Sequence, residues 1–269
     1  MYQPGRRAGP AMRILDPIKR SLRAGARILH SGSTPSLERL TGYRILDGEL
    51  RPTLNGWQES AVAQRQHQAF LPLLQELRQG RPRLDFEVAA LAISATGLTN
   101  PLVIEVGCGS GYYSEALPCL LGTPIRYLGV DYSSSMTSLA HHVYPGVPFV
   151  IGDACRLPFQ SDCSDILLSG TSLMHIADYR LAIAESVRVS CRWCIFHTVP
   201  VMAERPTTFL VKDAYGVEVI EVIFNRDEMQ EIFDAHRLTV EAIFQSIPYD
   251  VSSVVGEQTW TLTYLCRKS

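Results

Sequence analysis

The chain has 269 residues, 46% of them apolar, enough to enclose one large core or a core with a small cap. A net charge of −2 argues against a dedicated nucleic-acid binder, and no run approaches the roughly 20 apolar residues that cross a bilayer. The seven cysteines are scattered, and the N-terminus lacks the apolar block of a signal peptide, so the expected compartment is reducing and cytoplasmic.

Residues 1–12 are rich in Pro, Gly and Arg and read as a disordered start, with Met12 as an alternative beginning. Residues 13–30 read as a basic helix, with Ile14, Ile18, Leu22 and Leu29 near one side. It is a candidate for weak contact with a membrane surface or an acidic partner; the alternative is a solvated helix docked on the body. A Gly/Pro-rich loop follows, then helical spacing over Trp57–Arg78, interrupted near Pro72, and over Leu84–Thr96. Residues 31–98 together read as a helical cap.

From Pro101 short apolar runs alternate with amphipathic helices. Strands are expected over 102–106, 126–131, 147–152, 165–170 and 192–199. Helices are expected near 111–121, over 134–143 behind the cap Ser133, and over 178–188. Residues 200–225 read as a long inserted loop, followed by a helix over 226–237 capped by Asn225. The runs 238–247 and 258–266 pair as an antiparallel edge. The whole predicts an α/β fold over 99–269, a doubly wound, mostly parallel sheet of seven strands with helices on both faces.

Three strand ends carry the chemistry. The first βα junction is Glu105-Val106-Gly107-Cys108-Gly109-Ser110-Gly111, where glycines admit a ligand close to backbone and the next helix offers free N–H groups. The dinucleotide pattern needs glycine at position 112, and Tyr112 stands there. The second strand ends in Asp131, placed to accept from both hydroxyls of a ribose or else to cap the next helix. The third is followed by Gly152-Asp153-Ala154, an acid beside backbone able to read an adenine edge. The lone Cys191-Arg-Trp-Cys194 lacks two further ligands nearby and reads as buried thiols on a strand, so no metal is expected.

On EVGCGSG (105–111), LGVDYS (128–133), GDACRLPF (152–159), SDILLSG (164–170) and LMHIADY (173–179), the chain resembles the class I S-adenosylmethionine (SAM)-dependent methyltransferases. The resemblance is to the broad methyltransferase-domain group that includes ubiquinone-biosynthesis C-methyltransferases, with a Rossmann-like sheet. It implies SAM as cofactor, its methionine part held by Glu105, Gly107, Cys108, Gly109 and Gly111, with Ser169 alongside. It further implies Asp131 on the ribose, Tyr132 and Met136 along the adenine, and Asp153 and Ala154 at the adenine edge. The family's Pro-Gly-Gly-type turn before the fifth strand is replaced by Val189-Ser190-Cys191-Arg192, which leaves that strand's start open.

His175 and His197 fall at the carboxyl edge of the fourth and fifth strands and are candidate bases, each against a packing role. Trp57, Tyr112, Tyr113, Phe209, Tyr215 and Phe224 are candidate walls of an acceptor pocket completed by residues 200–225. The expected reaction is methyl transfer to a small-molecule or sugar-like acceptor, with O-, N- and C-methylation all open and no nucleic acid expected. The competing readings are a catalytically idle SAM-binding subunit serving a partner and an NAD-type oxidoreductase.

Overall fold

The computed structural model describes residues 42–46 and 56–269. The expected disordered start, basic helix and early loop therefore lie outside the described residues. In chain order the elements begin with β1 (Tyr43–Ile45), α1 (Ser60–Arg78), α2 (Leu84–Ser94), β2 (Leu102–Val106), α3 (Tyr113–Leu120) and β3 (Arg126–Asp131). They continue with α4 (Ser134–Val143), β4 (Phe149–Ile151), β5 (Ser164–Gly170), α5 (Tyr179–Val189) and β6 (Ser190–Met202). The last are β7 (Thr208–Ala214), β8 (Val217–Asn225), α6 (Arg226–Ala235), β9 (Leu238–Gln245), α7 (Ser252–Val255) and β10 (Trp260–Lys268).

Seven strands form the expected sheet in the order β4-β3-β2-β5-β6-β10-β9. The first five pair in parallel, and β10 runs antiparallel to both β6 and β9. The parallel strands are apolar on both sides because both faces are covered. On one face Val103, Ile166, Leu168 and Ile195 pack with Phe86 and Ala89 of α2 and Ala116 and Leu117 of α3. On the other, Phe196, Ile243 and Tyr264 meet Ile183 of α5 and Phe233 of α6. Helix α2 is buried almost all round, against α3 and the β9–β10 side of the sheet.

Two expectations change. Helix α1 runs unbroken through Pro72. Proline removes one N–H and frees the carbonyl four residues back, but Pro72 and Gln68 both face water, which can solvate that carbonyl. The segment 200–225 is not a loop but the hairpin β7–β8, joined to β1 on its outer edge. Its turn is Tyr215-Gly216, with φ of +53° and +81°, the two left-handed positions of a two-residue hairpin turn. At thirteen residues β6 is long enough to pair with β5 and β10 and then, through Val201 and Met202, with the end of β8. The strand starts at Ser190, whose Oγ donates to the Trp193 carbonyl at 2.8 Å and accepts from the Arg192 N–H at 3.2 Å. The thiols at its start differ: Cys194 is buried, whereas Cys191 is exposed. Among the described residues no helix is long and apolar enough to cross a membrane.

Candidate active site

The carboxyl ends of the parallel strands open into one cleft of about 1000 Å³, at the upper end of the size of ligand sites. Gly107 and Gly109 form its edge behind β2 and have left-handed φ of +73° and +55°. A side chain on Gly107 would overlap Ser172, and one on Gly109 would lie 2.7 Å from Gln66 Oε1. Glycine meets both the left-handed conformation and the close approach at these positions, most tightly at Gly107. Gln66 Oε1 in turn accepts from the Ser110 N–H at 3.1 Å. Helix α1 thereby docks on the turn.

Asp131 is 7% exposed at the end of β3. Its Oδ2 accepts from the Gly109 N–H at 2.8 Å and its Oδ1 from the Ser133 N–H at 2.9 Å. Burial pushes its carboxyl upward, and these two bonds pull it back. A carboxylate has about four lone-pair sites, so both oxygens keep capacity for a ligand. Tyr132, Met136, Asp153 and Ala154 continue the same wall. Asp153 is exposed, and its Oδ1 accepts from the Cys155 N–H at 2.8 Å, which closes the turn after β4.

Four of the residues assigned to the methionine end stand behind the wall rather than in it. Glu105 is fully buried and absent from the cleft lining; Tyr127 donates to its Oε2, and Oε1 has no partner among the described residues. Burial raises its carboxyl to about 8, against the pull of the Tyr127 hydroxyl and with the push of the Asp131 charge. Cys108 is buried beneath the turn. Gly111 packs against the Phe149 ring. Ser169 bonds the Ser172 hydroxyl at 3.0 Å, and Ser172, which does line the cleft, bonds the Val106 carbonyl at 2.7 Å. Glu105 and Ser169 stand at the carboxyl ends of β2 and β5, the expected height, but outside the cleft lining.

The two histidines separate. His175 lines the cleft on a short turn after β5, its ring 4.9 Å from that of Trp57. Its Nδ1 bonds the Ile220 carbonyl at 2.8 Å, and only an N–H can do so, which leaves Nε2 as the nitrogen with a lone pair. Burial, then the Lys212 charge, push its pKa down to about 4. His197 is 1% exposed and does not line the cleft. Its Nδ1 and Nε2 bond the hydroxyls of Thr263 and Thr198 at 2.8 and 3.0 Å, and it meets the Tyr113 ring edge to face. Both nitrogens are occupied, so the geometry removes it as a base. Of the aromatic wall candidates, Trp57, Tyr112 and Tyr215 line the cleft, while Tyr113, Phe209 and Phe224 do not.

The far end holds side chains that sequence reasoning missed: Tyr43, Lys212, Glu221 and Tyr249. Glu221 is fully buried, ion-paired with Lys212 and bonded by the Tyr249 hydroxyl. Cross-strand pairing of β1 with β7 sets Tyr43 opposite Lys212. The β-rich runs on either side of Tyr215-Gly216 were the available signal for this hairpin. Two cleft residues, Thr171 and Thr198, have left-handed φ of +60° and +54°. Such strain in β-branched residues gathers where the surroundings over-determine a site.

Residues 104–192 match the family model described as a methyltransferase domain. A demethylmenaquinone methyltransferase of Staphylococcus aureus is 32% identical over 89 residues, 32% of this chain and 37% of that protein. The chain thus matches little more than a third of the length of the curated relatives. Among solved structures, magnesium protoporphyrin IX methyltransferase from Synechocystis aligns at TM-score 0.55 and 14% identity, over 83% of this chain and 100% of that one. The 1,6-didemethyltoxoflavin-N1-methyltransferase of Burkholderia thailandensis aligns at TM-score 0.54 and 17% identity, over 88% and 98%. Residues 104–192 are thus similar to a methyltransferase domain, and the chain as a whole shares the Rossmann-like fold of these solved methyltransferase structures.

Proposed function

We propose that this protein transfers a methyl group from SAM to a small-molecule acceptor held in the same cleft. The observation that carries the reading is that one cleft joins the glycine turn and Asp131 at one end to His175 at the other. The chain's own residues fit the cofactor: a turn with little room for side chains, a buried carboxylate with spare lone pairs, and Asp153 with Ala154 on the adjoining wall. SAM, when bound, supplies an electrophilic sulfonium methyl group. Asp131 accepts from the ribose hydroxyls, the backbone at Gly107 and Gly109 accommodates the methionine part, and Asp153 accepts from the adenine amine. Tyr132 and Met136 flank the base.

The protein's main task is then orientation, which contributes on the order of several kcal/mol to such displacements. His175 holds its Nδ1 proton on Ile220 and offers Nε2, the arrangement of a neutral base that takes a proton from the acceptor. The named acceptor of the curated relative, demethylmenaquinone, is a small molecule and supports that class here. Incubating the purified protein with methyl-labelled SAM and a panel of small hydroxylated, amino and carbon-acid acceptors tests the reading. Label appears in a small product. A protein that binds SAM yet labels nothing in the panel or in itself is the idle subunit instead.

A further inference from the structure

Taking the cleft as the methyl-transfer site, we infer that its far end, built by Lys212, Tyr43, Glu221 and Tyr249, is an acceptor subsite for an anionic or carbonyl oxygen on a ligand with an apolar body. The argument is an inventory of donors and acceptors. Glu221 accepts from the Tyr249 hydroxyl at Oε1, and its Oε2 faces the Lys212 ammonium as an ion pair. Its carboxylate is fully buried, and its charge is balanced by Lys212. Lys212 has three N–H donors; one faces Glu221 and one the Tyr43 hydroxyl oxygen at 3.4 Å. The third has no partner among the described residues. Tyr43 accepts from Lys212, and its hydroxyl is shared with that of Tyr249 within the cluster.

What remains for a ligand is thus the third N–H of a cationic centre that lines the cleft. An ammonium ligand would meet the Lys212 charge there, whereas a carboxylate, enolate, phenolate or carbonyl oxygen accepts that N–H. Lys212 is 20% exposed, open enough to be reached and dry enough for the contact to count. Trp57, Ile176, Ile220, Ile247 and Pro248 line the same cleft and supply apolar surface for the body of the ligand.

The test is calorimetric titration with 2-naphthoate and with 2-naphthylmethylamine, ligands of one shape and opposite charge, with and without S-adenosylhomocysteine. The wild-type protein binds naphthoate at least tenfold more tightly than the amine. Lys212→Met loses about tenfold or more of the naphthoate affinity, while S-adenosylhomocysteine affinity stays within twofold. Lys212→Arg, which keeps the charge beside Glu221, retains the anion preference and serves where the methionine variant does not fold. Equal binding of the two naphthyl ligands by the wild type overturns the inference, as does undiminished naphthoate binding in Lys212→Met. Failure of the wild type to bind S-adenosylhomocysteine, with naphthoate preference intact, would instead count against the methyltransferase reading alone.

Discussion

Glu105 and His197 are buried titratable groups whose effects on stability run in opposite directions. Burial lifts the Glu105 carboxyl to about 8, so above its ordinary pKa near 4.5 the unfolded chain releases a proton that the folded chain keeps. Stability then falls with rising pH, from about 4.5 to about 8. Burial holds His197 down to about 4, so between that value and 6.5 the unfolded chain binds a proton that the folded one refuses. That contribution is complete above 6.5 and is lost as pH falls toward 4. His175 acts in the same sense. From about 4.5 to 6.5 the slopes oppose one another; above 6.5 only the carboxyl is left. Glu105→Gln is expected to abolish most of the decline in urea midpoint between pH 6.5 and 8, worth on the order of 1–2 kcal/mol. An equal decline in both proteins would show that Glu105 ionises freely. His197→Gln is expected to weaken the acid sensitivity below pH 6.5, an effect on the order of 3 kcal/mol across the window, read as the change in thermal midpoint.

At the scale of elements, the junction between the inserted hairpin and α6 rests on Asn225. Its Oδ1 accepts from the N–H groups of Asp227 and Glu228, and its Nδ2 donates to the carbonyls of Ala203 and Arg205. The cap was legible, because Asn before an amphipathic run is a helix start on local chemistry alone. The Nδ2 bonds were not, since they depend on where β6 ends. Asn225→Ala is expected to cost about 1–2 kcal/mol by chemical denaturation, and Asn225→Asp, which keeps only the cap, about half of that. The same division explains the strands. Leu102–Val106 and Arg126–Asp131 match the sequence expectation to the residue, because Pro, Gly and Asp punctuate short apolar runs. Strand β6 outran its expected end because Pro200, Val201 and Met202 are held by β8 and β10, partners that come later in the chain.

On the scale of the whole molecule, the cleft has a readable half and an assembled half. The half proposed for the cofactor comes from consecutive strand ends, so Gly107, Asp131 and Asp153 announce themselves through the order of the parallel sheet. The half proposed for the acceptor draws Tyr43, Trp57, His175, Lys212, Glu221 and Tyr249 from five separate segments, and only the topology brings them together. Lys212 and Glu221 look like ordinary strand charges until cross-strand pairing turns them inward. Glu105 shows the converse, a motif acid that is fully buried and absent from the cleft lining, bonded at one oxygen by Tyr127 of β3.

The central claim, a SAM site hinged on Asp131, is tested most directly by calorimetric titration of the wild type and Asp131→Ala with SAM, S-adenosylhomocysteine and NAD. The account predicts micromolar binding of the first two, no binding of NAD, and a ten- to hundredfold loss in the variant, as expected for losing a charged hydrogen bond worth about 1.5–3 kcal/mol. Binding of NAD alone, or SAM affinity unchanged in Asp131→Ala, would contradict it.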